Sequence, residues 1–364
     1  MKKVAIIVDN IERVFSPNIK GGGSVVAQQL INELRSRNNT EITVFSSPCN
    51  HSEIDLPIRI IDYGHGSEEF YCGIQKIIKE ENFDDVITLF VSFPFGKYIL
   101  QSQTFKSRCL NLPLIPRLIK TYLSRKKIKM QEDQFKKYKA KYIAVANCVK
   151  EDYIKNLNLN PSDVTVSYPA THAFYDSYPQ IRKSEKINFG LVAGSSVNKG
   201  GYLFVIALGI LNLLRHSFSA TIIAPKYNSD PLYKSLVSIF FLKNKIKFLT
   251  NKVDMKTFYD SIDCLVLPSL NEAFGLVAIE AMACAKPCLI SSTAGVAEIV
   301  ENESSFIFNR KSFLSYLKSL INICNIYQKD FELYEKYSLN AYELSKKYTW
   351  KNFVDGILEQ EDYN

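Results

Sequence analysis

The sequence predicts two doubly wound α/β domains, in which parallel strands alternate with helices. Short runs rich in Val and Ile alternate with helical patterns from Lys3 to Asn147, which is typical of a mostly parallel sheet with helices on its faces. A polar segment at 172–186 interrupts this pattern, which restarts at Ile187. Because 364 residues exceed what one hydrophobic core usually supports, we expect the domains to join near residue 180.

The predicted elements follow in order along the chain. In the first domain we expect strands at 3–8, 41–47, 58–63, 85–92 and 142–147, with the first long helix at 24–35. In the second domain we expect strands at 187–194, 220–225, 246–250, 263–269 and 287–292, with a long helix at 202–215. The stretch from Lys311 is helical by pattern and ends in a helix at 348–360. We therefore predict one domain at 1–180, onto which the C-terminal helix 346–364 packs back, and another at 181–345.

Composition and hydropathy exclude several classes of protein. Charged residues at 23% and hydrophobic residues at 46% are typical of a globular protein. The first apolar run is too short for a signal peptide, and the longest one, at 202–214, falls short of the roughly 20 residues of a membrane span. The eight cysteines lack zinc-ligand spacing, so we expect reduced, mostly buried thiols and no metal site. These observations predict a cytoplasmic protein that at most contacts the inner face of the membrane.

The positive charge of the chain is concentrated in one predicted segment. Residues 103–155 contain 14 Lys and Arg against 4 Asp and Glu, within a net charge of +8 for the whole chain. Within 111–142, apolar residues recur at helical spacing with basic residues between and after them, the apolar set being Leu114, Leu118, Ile119 and Tyr122. Such a surface binds anionic lipid headgroups. A core-facing helix with a solvated face is the alternative, and no nucleic-acid-binding motif accompanies the patch.

Two glutamates stand eight positions apart in a nearly apolar stretch, 271–287. Glu272 is predicted on the loop after a strand, and Glu280 on the helix that begins near Phe274 and Gly275. The N-terminus of such a helix offers free N–H groups and the positive end of its dipole to an anion. A carboxylate on each side of a phosphate site fits a nucleotide sugar, with Glu280 on the ribose diol and Glu272 on sugar hydroxyls. Alternatively, Glu280 pairs with a core Lys or Arg and Glu272 is merely exposed.

A second loop of the same domain offers a cation. The segment 189–201 is a strand followed by small residues and a lysine at the start of a helix. Gly194 and Ser195 would let the backbone approach a ligand closely, and Lys199 could neutralise the charge of a diphosphate. Such loops are common, so this one alone is weak evidence for a diphosphate site. Its position in another βα unit of the same sheet makes it more informative.

A third loop lies in the first domain. Gly21, Gly22 and Gly23 precede an amphipathic helix and could approach a phosphate or a sugar without interference from side chains, with Ser24 as the helix cap. A flexible turn without a ligand is the alternative.

These residues resemble the E-x7-E region of the family-4 retaining glycosyltransferases, the glycosyl transferases group 1, which have the GT-B fold. The matching positions are Glu272, Phe274, Gly275, Glu280, Ala281, Met282, Ala283, Pro287, Gly295 and Glu298. The resemblance implies two Rossmann-like doubly wound domains facing across a cleft, with the acceptor in the first and the nucleotide-sugar donor in the second. It implies Lys199 and Glu272 as catalytic residues. The implied donor-binding residues are Gly22, Gly23, Gly194, Ser195, Lys199, Val253, Glu272, Phe274, Gly275, Leu276 and Glu280.

The implied reaction is transfer of a sugar from a UDP or GDP sugar, with retention and without a metal ion or cofactor, to a cell-surface glycan or lipid-linked saccharide. The absence of a DxD motif agrees with metal independence. Two departures stand out: Gly194 replaces a frequent arginine, and none of the four histidines falls in the segment after the strand at 85–92, where the family commonly places one. The alternatives are a nucleotide-sugar epimerase or hydrolase of the same fold, and a non-catalytic protein that binds nucleotide sugars or lipids.

Overall fold

The computed structural model describes most of the chain as two compact units. The described residues are 1–16, 21–49, 54–60, 68–89, 94–110, 114–171, 174–175, 178–179, 181, 183–192, 198–225, 227–250, 253–301 and 303–359, without the side chains of 109–110, 114–117 and 119. One unit comprises Met1–Pro169 and Trp350–Asn364, and the other Ala170–Thr349. The first unit therefore ends before the predicted boundary at residue 180.

The first unit is built on a seven-stranded parallel sheet. Its strands are β1 (Lys2–Val8), β2 (Thr40–Ser46), β3 (Ile58–Ile60), β4 (Asp85–Leu89), β5 (Lys97–Leu100), β6 (Lys141–Ala144) and β7 (Val164–Val166), in the order β3-β2-β1-β4-β5-β6-β7. Its helices are α1 (Ile11–Phe15), α2 (Gly22–Arg35), α3 (Glu68–Glu81), α4 (Phe105–Leu110), α5 (Leu114–Lys137) and α6 (Asn147–Leu157). Strands β1 and β4 are almost entirely buried, as expected of a parallel sheet covered on both faces.

The second unit is built on a six-stranded parallel sheet. Its strands are β8 (Ile187–Val192), β9 (Phe218–Ile223), β10 (Ile246–Leu249), β11 (Cys264–Leu267), β12 (Cys288–Ser291) and β13 (Phe306–Phe308), in the order β10-β9-β8-β11-β12-β13. The helices that follow β8 are α7 (Gly201–Leu213), α8 (Pro231–Ile239), α9 (Met255–Asp260), α10 (Leu276–Ala283), α11 (Phe313–Lys329), α12 (Phe331–Lys346) and finally α13 (Trp350–Leu358).

The predicted fold class, two doubly wound α/β domains, is confirmed by these two sheets. Strands β5, β7 and β13 were not predicted, because each is a run of three or four residues that carries little periodicity. The strand predicted at 142–147 ends at Ala144, and Asn147 already begins α6. Parts of the strands predicted at 58–63 and 85–92 lie outside the described residues.

Each sheet has one point where successive strands are added in opposite directions. In the first sheet this point lies between β1 and β4, and in the second between β8 and β11. Open α/β sheets bind their ligands at the carboxyl ends of the strands beside such a point. In the second unit this edge contains the loops after β8 and β11, on which Lys199 and Glu272 lie.

Helix α13 belongs to the first unit, although it follows the second in the sequence. The Lys97 ammonium, buried at the start of β5, forms an ion pair with Asp85 and donates to the carbonyl of Leu358 at 3.2 Å. Arg37, which follows α2, pairs with Asp355 at 2.8 Å. These contacts attach the C-terminal helix to the amino-terminal sheet.

Among the described residues, no helix combines the length and apolar character that a membrane span requires. The thiols are less uniformly buried than the sequence predicts. Cys264, Cys284, Cys288 and Cys324 are buried, whereas Cys72 is exposed.

Candidate functional site

An ion pair joins the two residues that were predicted to be catalytic. Lys199 lies on the loop between β8 and α7, and Glu272 on the loop between β11 and α10. The Lys199 ammonium lies 2.6 Å from Oε2 of Glu272, with 35% of the lysine side chain and 14% of the glutamate side chain exposed. The structure therefore brings an accessible cation and a carboxylate together at the point where the strand order reverses.

Backbone contacts explain why these two loops meet. Gly200 has a φ of +70°, and a Cβ at this position would lie 2.5 Å from the carbonyl oxygen of Pro268. Beside it, the N–H of Leu270 donates to the carbonyl of Asn198 at 2.8 Å. Only a glycine permits both the left-handed conformation and the close approach. Lys199, between these two anchored residues, is thereby held against the loop of Glu272.

A second glycine shapes the start of α10. Gly275 caps the helix with a φ of +110°, and a Cβ there would lie 2.9 Å from Cδ2 of Leu267 and 3.3 Å from Cγ of Glu272. The buried Phe274 accepts a hydrogen bond from the N–H of Val296 at 2.8 Å through its carbonyl. The loop is therefore turned tightly and fixed at both sides.

Helix α10 begins at Leu276, one or two residues after its predicted start. The first N–H groups of an α-helix lack intrahelical acceptors and lie at the positive end of the helix dipole. They lie on the same loop-helix junction as Glu272, so the junction combines a carboxylate with a backbone suited to an anion.

The carboxylate of Glu280, on α10, has a tyrosine as its partner. The Tyr259 hydroxyl donates to Oε2 of Glu280 at 2.5 Å. Burial raises the pKa of the Glu280 carboxyl, and the hydrogen bond from Tyr259 opposes that rise. Burial, followed by the charge of Glu280, raises the pKa of the Tyr259 hydroxyl well above its usual value, so the hydroxyl remains a donor. Within the described part of the chain, neither Lys nor Arg takes this place, in contrast to the alternative weighed from the sequence.

Val253 lies at the same edge of the sheet but further from the ion pair. It follows β10 and precedes Asp254, which caps α9, the helix that carries Tyr259. In the strand order, β9 separates β10, which precedes Val253, from β8, which precedes the loop of Lys199.

The glycines of the first unit are placed differently from the prediction. Helix α2 begins at Gly22 with Gly21 as its cap, so the expectation that Ser24 caps the helix is wrong. The reason is that Gly21 is extended and its carbonyl accepts from the N–H of Ser24 at 3.1 Å, which puts Ser24 inside the first turn. Gly22 and Gly23 form the start of that turn. Gly194 and Ser195 of the second unit lie outside the described residues.

Tyr259 was missed by reasoning from the sequence. It lies on the six-residue helix α9, whose pattern gives no sign that its hydroxyl meets Glu280. The role of Gly200 was also missed, although the pair of glycines after Lys199 in the sequence was a usable signal.

Comparisons with known proteins find similarity to glycosyltransferases. Residues 206–354 match the family model described as glycosyl transferases group 1. An uncharacterized glycosyltransferase of Methanocaldococcus jannaschii is 26% identical over 327 residues, which cover 83% of this chain and 89% of that protein. The O-antigen chain mannosyltransferase RfbU of Salmonella typhimurium is 26% identical over 183 residues, and this match spans about half of each chain, 49% and 50%.

Among solved structures, HepE of Anabaena in complex with UDP-glucose superposes with a TM-score of 0.70 at 15% sequence identity, over 99% of each chain. At 15% sequence identity, this similarity shows a shared fold and nothing more. The family match covers most of the second unit, including the loop of Glu272 and the helix of Glu280. Residues 206–354 therefore match the glycosyl transferases group 1, and the chain has the GT-B fold of glycosyltransferases.

Proposed function

We propose that the protein transfers a sugar from a nucleotide-diphosphate sugar, bound at the carboxyl edge of the second sheet, to an acceptor bound by the first unit. The observation that supports this proposal is the ion pair of Lys199 and Glu272. Their ammonium and Oε2 atoms lie 2.6 Å apart, at the point where the strand order of the second sheet reverses. A diphosphate would take over the lysine ammonium, and the released carboxylate would accept hydrogen bonds from hydroxyls of the donor sugar.

Charge stabilisation would supply the main catalytic effect. When the bond between the sugar and the diphosphate breaks, negative charge grows on the departing diphosphate. Lys199 and the backbone from Phe274 to Leu276 at the start of α10 would stabilise that charge. Because a side chain fills the role of a cation, we propose that transfer requires no metal, and also that it retains the anomeric configuration.

The ribose of the donor would be held by Glu280. Tyr259 occupies one carboxylate oxygen of Glu280, Oε2, and orients the group. The other oxygen would accept from the vicinal diol of the ribose. This arrangement explains why a carboxylate is kept on an apolar helix whose Ala278, Ile279, Ala281 and Met282 are buried.

The donor site is tested by thermal shift with UDP, GDP and their sugars. A ligand at about 100 times its Kd stabilises the folded protein by ~2.7 kcal/mol, a shift of several degrees. We expect one nucleotide class to shift the melt of the wild type, and Lys199→Ala, Glu272→Gln and Glu280→Gln to lose that shift while keeping the wild-type melting temperature.

A matched control is the exposed pair of Lys336 and Glu303 in the same unit, 2.8 Å apart. Lys336→Ala and Glu303→Gln should respond to the nucleotide like the wild type. The site assignment is wrong if the three site variants bind the donor and transfer sugar normally. Transfer that stops in the presence of EDTA would overturn metal independence, and an inverted product would overturn retention.

We propose a cell-surface glycan or a lipid-linked saccharide as the acceptor. The support is the match to RfbU, an O-antigen chain mannosyltransferase by name. Incubation of the protein with donor and acceptor extracts separates the alternatives. Donor consumed without acceptor indicates a hydrolase, a rearranged donor sugar indicates an epimerase, and donor bound without turnover indicates a non-catalytic binding protein.

We also propose that the first half of α5 contacts an anionic membrane surface. Leu118, Tyr122 and Leu123 are 62%, 67% and 73% exposed, and the Arg125 guanidinium lies 5.0 Å from the centre of the Tyr122 ring. Phe135, in the second half of the helix, is buried, so the core-facing alternative describes only that half. The side chains of Leu114 and Ile119 lie outside the described residues.

Vesicle sedimentation tests this contact. Leu118→Ser with Leu123→Ser should weaken binding to vesicles of phosphatidylcholine and phosphatidylglycerol, whereas substitutions at Leu339, which is 44% exposed on α12, should not. Equal binding by both variants would contradict the proposal.

A further inference from the structure

A second exposed apolar surface lies in the second unit, where α7 and α8 end. Leu213, Leu214, Ile239 and Phe241 are 66%, 55%, 64% and 82% exposed. Both helix ends precede a strand, β9 or β10, so they lie at the amino edge of the sheet, opposite the edge that carries Lys199. We call these four residues, with the basic side chains Arg215, Lys243 and Lys245, the helix-end patch.

The two helix ends are held side by side, which makes the patch continuous. A Cβ on Gly209 of α7 would lie 2.2 Å from the ring of Phe240, so the glycine is what allows the ends to approach. The side-chain amide of Asn212 donates to the carbonyl of Phe240 at 3.0 Å. The last turn of α7 and the residues after α8 therefore present their outward side chains together.

The conformation of Phe241 is unusual for an aromatic residue. Its φ is +54°, and the N–H of Leu242 donates to the carbonyl of Val237 at 2.9 Å, the bond of a helix end that normally has glycine in this place. The ring is 82% exposed, so packing within the described part of the unit does not require it. Strained residues of this kind cluster at functional sites, although the described part of this chain has five other non-glycine residues with positive φ.

The patch is basic. The segments that follow the two helices, 214–217 and 240–247, contain four Lys and Arg and no acidic residue. Arg215, Lys243 and Lys247 are exposed, and the Lys245 ammonium lies 4.8 Å from the centre of the Phe218 ring. The basic residues near the helix ends were overlooked in the sequence, because acidic residues elsewhere offset their charge in the net charge of the chain.

We propose that the helix-end patch is a second membrane-docking surface, which inserts its apolar side chains among anionic lipids and places its basic side chains at the headgroups. Projecting apolar residues surrounded by cations are the composition of an interfacial surface. A second copy of the chain fits poorly, because a two-fold contact would bring Lys243 and Arg215 against cations of the other copy. The proposal extends the membrane contact proposed for α5 and does not depend on the donor site.

The experiment compares binding to vesicles of phosphatidylcholine alone and of phosphatidylcholine with phosphatidylglycerol, using the full chain. Phe241→Gly is the decisive variant, because glycine relieves the left-handed conformation while it removes the exposed ring. We expect its melting temperature to equal or exceed that of the wild type and its affinity for anionic vesicles to fall about tenfold or more. Lys243→Gln with Lys245→Gln should weaken binding by about fivefold for each charge and reduce its dependence on salt.

The matched controls lie at the opposite edge of the sheet. Leu314, 59% exposed at the start of α11, and the exposed Lys311 should be replaceable by Ser and Gln without effect on vesicle binding. The inference is overturned if Phe241→Gly binds anionic vesicles as the wild type does, or if the wild type binds neither vesicle. Unchanged nucleotide binding by Phe241→Gly, measured alongside, separates failure of this inference from failure of the donor site.

Discussion

Replacing Gly200 by alanine tests whether the contact between two backbone loops holds the catalytic pair together. The Cβ of the alanine would lie 2.5 Å from the carbonyl oxygen of Pro268 and 2.9 Å from its Cγ. Neither atom is the end of a flexible side chain, so the loop after β8 must move away from the loop after β11. That movement would break the hydrogen bond of 2.8 Å between Leu270 and Asn198.

The cost follows from three terms. The left-handed conformation costs an alanine ~1–2 kcal/mol. The overpacking against backbone costs ~1–3 kcal/mol, and the lost hydrogen bond ~1 kcal/mol. Because movement of the loop relieves the clash at the expense of the hydrogen bond, these terms do not add fully, and we expect a loss of about 3–4 kcal/mol. Separation of Lys199 from Glu272 should also weaken donor binding about tenfold or more.

Calorimetry and nucleotide titration measure the two effects in the same preparation. Gly21→Ala is the control, since Gly21 is extended and a Cβ there would meet no atom within 4 Å. It should cost less than about 1 kcal/mol, because alanine is only a poorer helix cap than glycine. A Gly200→Ala protein that unfolds within about 1 kcal/mol of the wild type and binds the donor normally would refute the role given to this contact.

Three further substitutions test other parts of the structure. Lys97→Met should destabilise the first unit by about 3 kcal/mol in urea unfolding, because Asp85 would lose its buried partner and, among the described residues, keep the half-exposed Lys2; an unchanged midpoint would contradict this. Burial raises the pKa of Asp9 to about 7 from 3.8, so its contribution to stability is present at low pH and lost as the pH rises through about 7. Asp9→Asn should therefore melt progressively higher than the wild type as the pH rises from about 4 to about 7, whereas parallel curves would exclude the effect. Ala285→Gly should stabilise the protein by about 0.5–1 kcal/mol, measured by calorimetry. Ala285 has a φ of +54°, and relief of this left-handed conformation gains ~1–2 kcal/mol, which exceeds the ~0.8 kcal/mol lost with the buried methyl group. A lower melting temperature would contradict this.

Much of the fold could be predicted because its strands are buried on both faces. The long apolar runs of β1, β4 and β8 stand out in the sequence for that reason. Strands β5, β7 and β13 could not be predicted, since each is short and contributes only a few hydrogen-bonded residues to its sheet. The boundary near residue 180 was placed by polarity, whereas the unit ends at Pro169, where the contacts of the first unit cease.

The split character of α5 also depended on tertiary structure. The sequence pattern at 111–142 allowed a membrane face or a core face. The structure gives Phe135 a buried position and leaves Leu118 and Leu123 exposed, so one helix has both characters along its length. Hydrophobic periodicity shows which face of a helix is apolar. It does not show which part of the helix, along its length, is covered by the rest of the protein.

For the site, the sequence by itself determined the residue types and their order: a glycine-rich loop with Lys199 after one strand, Glu272 after another, and Glu280 on the helix that follows. Spacing along the chain sufficed there because a βαβ unit places the carboxyl end of each strand at one edge of the sheet. Only the tertiary structure decided which groups touch. The ion pair of Lys199 with Glu272 and the hydrogen bond of Tyr259 to Glu280 join residues that are distant in sequence. Contacts of this kind depend on the packing of loops and helices, which local pattern does not encode.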